Sequence, residues 1–213
     1  WPGAVALYAS ATDDNYGLSG LFNTPATVGI TETALFAAQP GLWDRGPALR
    51  VRLHRGALAS VSEAQVLAGA NLAAIGDGSP ENWELFQFSE AELIAPLTWD
   101  LRLRLRGQAG SDGIMPQDWP AGSRFVLIDG SVDQIALAPA MRGVQRFYRW
   151  GPAARGLDDP TYRGAALAFR GIGLRPYPVA HLRATPAGGD PALDWIRRVR
   201  SGGDSWDGYE VPL

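Results

Sequence analysis

The stretch from Glu92 to Asp112, ELIAPLTWDLRLRLRGQAGSD, constrains the chain more than any other. Leu93, Ala95, Leu97, Trp99, Leu101, Leu103 and Leu105 fall on odd positions, and Thr98, Asp100, Arg102, Arg104 and Arg106 on even ones. A strand has a side-chain period of two, so this parity predicts one apolar face and one face carrying three consecutive arginines. Leu49 to His54 repeats the pattern in miniature, with Arg50 and Arg52 on the polar side. The run stops at Gly107, where Gln-Ala-Gly-Ser-Asp-Gly cannot continue a strand.

Further β signals follow along the chain. Residues 4–9, 27–33, 83–88, 146–150 and 165–169 read as strands, separated by Gly-, Pro- and Asp-rich turns. Asp129-Gly130, between Arg124–Ile128 and Ser131–Ile135, predicts a two-residue hairpin. Ser62-Glu63-Ala64-Gln65 resembles a capping box, but Gly69 and Asn71 limit any helix to a single turn. Leu174 to Val179 carries Pro at alternate positions and is expected at a sheet edge or as an extended linker; Pro186 to Pro191 reads as a linker. The expected class is all-β with little helix, in two or more small sandwich- or barrel-like units. The first spans residues 1–108 and the second 109–184, with residues 185–213 forming a linker and the first strand of a further module.

Composition fits many short strands: 26 Gly and 16 Pro supply turns, while a 46% apolar content and eight Trp can fill a core. A net charge of −3 gives no bulk attraction to nucleic acid or acidic membranes. All 19 basic residues are Arg, which fits a GC-rich coding sequence and also suits buried ion pairs. There is no Cys, so disulfides and thiolate metal sites are excluded. No apolar run approaches the ~20 residues of a membrane helix, and no signal-peptide pattern opens the chain. The chain begins at Trp1 and closes on Glu-Val-Pro-Leu, which leads us to expect a piece of a longer polypeptide.

Chemistry-bearing constellations are sparse. His54 and His181 lie far apart and read as surface or interface residues. Glu84, Glu90, Glu92 and Asp100 could supply a glycosidase pair, with Trp83 and Trp99 as candidate glycan-stacking residues; the simpler reading pairs those carboxylates with arginines of a neighbouring strand. Asp13-Asp14 and Asp158-Asp159 stand where Asp commonly closes turns and match no EF-hand. No catalytic residue, metal ligand or cofactor is assigned. The candidate contact or anionic-ligand face is Arg50, Arg52, Arg102, Arg104 and Arg106, read as a protein contact before a ligand stripe.

Several segments carry a family resemblance: Leu103 to Asp112, Gly122 to Gly130, Tyr148 to Ala153, Gly173 to Ala184, Asp194 to Arg198, Gly203 to Trp206 and Val66 to Asn71. From about Leu49 onward the chain resembles the C-terminal part of the large baseplate protein of gene transfer agents. That protein is also called the megatron or host-specificity protein and is related to siphophage tail-tip proteins. The resemblance implies a structural, non-enzymatic component of a phage-like particle's tail baseplate, made in the bacterial cytoplasm and released with the particle. It implies self-association as a trimer, contact with baseplate hub and distal tail proteins, and a part in DNA delivery and host-envelope contact. It also implies that the strand near Trp195 opens a fibronectin type III-like module. A glycan- or receptor-binding module of the tail tip is the alternative reading; a cell-wall hydrolase region is the weaker one, because the family's glycosidase-like barrel lies upstream.

Overall fold

A computed structural model describes residues 3–174, 179–186 and 188–196. The chain divides into two compact units, residues 1–171 and 172–213. In chain order the first unit contains strands β1 (Val5–Ser10), β2 (Gly17–Phe22), β3 (Val28–Thr31), β4 (Leu35–Phe36), β5 (Trp43–Asp44) and β6 (Leu49–Leu53), then helix α1 (Glu63–Leu67). It continues with β7 (Leu72–Gly76), β8 (Trp83–Ala95), β9 (Thr98–Gln108), β10 (Asp118–Trp119), β11 (Arg124–Leu127), β12 (Arg146–Pro152) and β13 (Arg163–Leu167). The second unit holds β14 (Ala180–Thr185) and β15 (Ala192–Ile196), paired antiparallel. No helix among the described residues is long and apolar enough to cross a membrane.

Six strands close into an antiparallel barrel in the order β9-β6-β3-β11-β7-β8, with β8 pairing back to β9. Closure leaves those six strands no common open edge. The interior follows from parity: Leu49, Val51 and Leu53 of β6 and Phe86 and Phe88 of β8 are buried, together with Ile75, Leu101 and Phe125. Phe86 meets Phe125 edge-on at 6.3 Å between ring centroids. β4 and β10 pair as a two-residue ribbon that adds Leu35 and Trp119 to the same core. α1 forms as its capping box specifies, with Ser62 as the cap; β8 secures its end, since Gln87 Nε2 donates to the carbonyls of Val66 and Ala70.

A second sheet, in the order β13-β12-β1-β2, joins the first strands of the chain to residues 146–167. The expected boundary near residue 108 is therefore not where the chain divides. The strand at 124–127, assigned from sequence to a second unit, pairs on both sides within the barrel, with β3 and with β7. That double pairing also explains why the Asp129-Gly130 hairpin does not form. β11 has no edge left for a returning strand, and Asp129 instead closes a turn by accepting from the Ser131 amide. The Pro186–Pro191 stretch, read as a linker between units, joins β14 to β15 within one unit. Residues 175–178 of the proline-rich stretch and everything after Ile196 lie outside the described residues.

Gly29, buried in β3, marks the tightest approach between staves: a Cβ there would sit 2.4 Å from the Arg52 carbonyl oxygen of β6. Gly29→Ala is expected to force β3 from β6 and lower stability by about 1–3 kcal/mol, read as a fall in the urea midpoint at unchanged slope.

Candidate functional site

The arginines that defined the sequence pattern divide into two groups, and the division has a local cause. In β9 just before position 103 the faces follow the parity: Leu101 is in the core and Arg102 is half-exposed, although Thr98 and Asp100 on the polar side are also buried. Leu103 then takes φ +51°, a left-handed conformation rare for a branched residue, and the strand turns over. Beyond it Arg104 stands opposite Phe88 of β8, a core residue, and opposite residues in an antiparallel pair share a face. Arg104 and Arg106 are accordingly 1% and 0% exposed. The edge of β9 changes partner at the same point, from β6 at residues 98–101 to β5 at 104–105.

Both buried arginines are matched by carboxylates of the same chain. Arg106 donates from Nε and Nη2 to the two oxygens of Glu84, each at 2.7 Å, and from Nη1 to the carbonyl of Phe36 at 2.5 Å. Glu84, itself 0% exposed, also accepts from the Trp119 indole N–H at 2.7 Å and the Gly107 amide at 3.1 Å. Arg104 pairs with Asp44 at 2.9 Å and donates to the Leu101 carbonyl at 2.7 Å. Burial pushes the Arg104 guanidinium down from its ordinary range, and the adjacent Asp44 opposes that shift. Neither arginine can belong to an exposed contact or ligand face, as the parity had suggested.

The remaining three form an exposed belt across β6, β9 and β8. Arg50 grips Asp100 with two hydrogen bonds, at 2.8 and 3.1 Å; Arg102 reaches Glu92 at 3.0 Å and Asp100 at 3.5 Å; Arg52 reaches Glu32 at 3.0 Å. Three arginines thus meet three carboxylates, and the belt offers no excess charge to an anionic ligand. The exposed pairs Arg52–Glu32 and Arg102–Glu92 are worth little, about 0–1 kcal/mol each. The two-pronged Arg50–Asp100 pair, whose carboxylate is nearly buried, is the strong member.

Trp83 and Trp99 do not form a stacking platform. Ten residues of β8 separate Trp83 from Leu93, the partner of Trp99, which places the two indoles roughly 30 Å apart along the strand. Trp99 packs against the core with its indole N–H buried and without a partner, and the Trp83 indole donates to the Ser79 carbonyl at 2.6 Å. Of the carboxylates considered for glycoside chemistry, Glu84 is locked by Arg106, Asp100 is held by Arg50, and Glu92 pairs with Arg102; Glu90 is exposed. His54 is exposed just beyond β6, and His181 falls on β14. Asp13 and Asp14 accept from Tyr16 and Thr12, and Asp159 closes a turn with Thr161, so these residues do what turn aspartates do. Among the described residues no group of three or more His, Cys, Asp or Glu is placed to hold a metal.

Sequence reasoning missed the apolar tip of the β8–β9 hairpin. Its run of odd leucines read as one long strand, yet the chain reverses at Pro96-Leu97, with Leu97 at φ +57°. Leu93, Ile94 and Leu97 are exposed there, at 58%, 39% and 41%. Pro96 between two apolar runs was the available signal.

Residues 26–126 match the family model described as "Rcc01698-like, C-terminal". That description derives from a Rhodobacter protein associated with gene transfer agents and is compatible with a tail protein of such a particle. The matched stretch starts earlier than the resemblance read from sequence and takes in every stave of the barrel, the β4–β10 ribbon and the belt. It ends before the segments after residue 126 that carried the rest of that resemblance. No curated protein matches the chain.

Two outcomes test this geometry. Glu84→Ala strands a buried guanidinium and the Trp119 N–H, and is expected to cost about 3–5 kcal/mol in urea unfolding; Glu84→Leu combined with Arg106→Met should recover most of that loss. The Arg50 hydrogen bond holds the Asp100 carboxyl below the usual carboxylate range. A folded-state value below the unfolded one gives stability that is fully present above the unfolded value and is lost as pH falls through the folded one. Stability should therefore decline as pH drops below about 4, and Asp100→Asn should lower neutral-pH stability while flattening that acid slope.

Proposed function

We propose that this chain is a structural module of a phage-like particle of the gene transfer agent type, working in the tail tip through assembly rather than catalysis. The observation that carries the reading is the family match across the whole barrel. Two features of the fold support it. Several charged groups of the barrel pair with one another, in the Arg106–Glu84 and Arg104–Asp44 pairs inside and in the neutral belt outside. The β8–β9 hairpin tip exposes Leu93, Ile94 and Leu97 together, which suits burial against a neighbouring chain.

In this reading the module sits at the distal end of the tail, where three copies pack around the tube axis. Baseplate hub and distal tail proteins are its partners, and the assembly helps DNA delivery and host-envelope contact. The contact residues are those of the hairpin tip and not the arginines of β9. Reversal of Arg104, buried beside Asp44, would damage the barrel itself and report nothing about assembly.

The test is a pair of particle preparations, one with the native chain and one with Leu93→Asp and Leu97→Asp. Antibody-gold labelling should place the native chain at the tail tip. The double variant, with thermal unfolding unchanged, should be absent from particles or leave them unable to deliver DNA. Absence of the native chain from purified particles, or normal assembly and delivery by the variant, would overturn the proposal.

A further inference from the structure

The small sheet carries a feature that the barrel does not share. Across one of its faces, Leu18 of β2, Tyr8 of β1, Arg149 of β12 and Gly164 of β13 stand side by side in register. Tyr8 meets Tyr162 at 6.1 Å between ring centroids. Tyr162 lies across Gly151, where a Cβ would come within 2.6 Å of its ring, so the glycine is what lets the tyrosine lie down on the strand. On the other side the Arg149 guanidinium sits 5.0 Å from the centroid of Tyr16, in the β1–β2 loop. The result is one arginine flanked by three half-exposed tyrosines from four separate parts of the chain.

Two depressions adjoin at this arginine. One, of about 300 Å³, is bounded by Tyr162, Asp158, Asp159 and Arg163; the other, of about 270 Å³, by Tyr16, Asp13 and Phe147; both share Arg149 and Gly164 as a common wall. The first matches the lower bound of small-molecule site sizes and the second falls just below it. Gly164 and Ala166 on β13 keep that side low and open the trough along the sheet. Arg149 makes no ion pair among the described residues, and its guanidinium lies over the Tyr16 ring. The rim holds two arginines against three aspartates, which disfavours a polyanion.

We infer that this trough is a carbohydrate-binding site for a short neutral oligosaccharide, built from Tyr16, Tyr162 and Arg149, with Tyr8 packed against Tyr162. The apolar C–H face of a pyranose ring suits the face of a tyrosine, and its equatorial hydroxyls suit planar donors and acceptors at the ring's edge. Arg149 supplies the donors and Asp13 and Asp158 the acceptors. Two adjoining depressions fit two neighbouring sugar units, with the arginine at the linkage between them. This assignment stands apart from the particle reading: the site belongs to the folded chain, whether or not the chain is carried in a tail.

The test uses the 213-residue chain on a printed array of neutral and uronate-bearing oligosaccharides, with hits measured by titration calorimetry. A neutral oligosaccharide should bind, and Arg149→Met and Tyr16→Ala should each weaken it by roughly tenfold or more at unchanged thermal unfolding. Arg142→Met, on the exposed loop before β12, should bind as the native chain does. Four results overturn the inference: no binding to any neutral sugar, equal binding by both site variants, binding confined to uronates and abolished by salt, or concentration-dependent dimerisation that the variants abolish. The last would make the face a contact between copies of this chain.

Discussion

The barrel depends on one buried carboxylate. Glu84 accepts four hydrogen bonds, two from Arg106, one from Trp119 and one from the Gly107 amide, with no exposure to solvent. A charge removed from water to this degree is tolerable only when its partner and its remaining lone pairs are all satisfied. That requirement fixes more than one pair. Trp119 must bring β10 to the end of the barrel, β10 brings β4, and β4 presents the Phe36 carbonyl that completes Arg106. A two-residue ribbon too short to be stable alone is thereby set in place by the ion pair it covers. The apolar cluster would close a barrel of some kind, but this polar knot chooses which loops seal it.

Much of the barrel was legible because a closed antiparallel sheet with one buried face writes alternation into its strands. β3 and β6 show it most plainly, and Ser62 and Gln65 announce the single helical turn. The rest was hidden for identifiable reasons. β7, Leu-Ala-Ala-Ile-Gly, has a single β-branched residue and no aromatic one to mark a strand, and it lies between β11 and β8. β4, β5 and β10 are two residues each, below any periodic signal. Asp129-Gly130 carried hairpin chemistry, but local preference yielded to a strand already paired on both edges.

Leu103 accounts for the largest misreading. Parity inverts across it, with Leu101 before it and Arg104 after it both on the core side, and on β8 the same inversion falls between buried Phe88 and exposed Glu90. The left-handed backbone at Leu103 re-aims the side chains that follow, while the pairing of β8 with β9 keeps one register from Gln87↔Leu105 to Leu93↔Trp99. The sequence Arg-Leu-Arg-Leu-Arg conceals it because both classes of residue end up buried: leucine in apolar contact, arginine in ion pairs. Composition was compatible with this outcome, since an exclusively Arg basic set fits a GC-rich coding sequence and also suits two-pronged buried pairing. The Arg149 cluster was hidden in another way. Its members at positions 8, 16, 149 and 162 share no motif, and only the pairing of the first strand with β12 brings them together.

The buried knot and the exposed surfaces occupy different parts of the fold, and that separation has a consequence for function. Glu84 and Arg106 lie at one end of the β8–β9 hairpin and the apolar tip at the other, nine residues and roughly 30 Å away along β8. The neutral Arg–carboxylate belt runs along the outside between them. Ion pairs satisfied within one chain need nothing from a partner, so the barrel can fold complete before it meets one. Changes at the tip then alter contact without touching the pairs that hold the barrel closed. A module built this way gains new partners by changing a few exposed apolar side chains, whereas substitution at Glu84 or Arg106 is opposed by the whole of the end they seal.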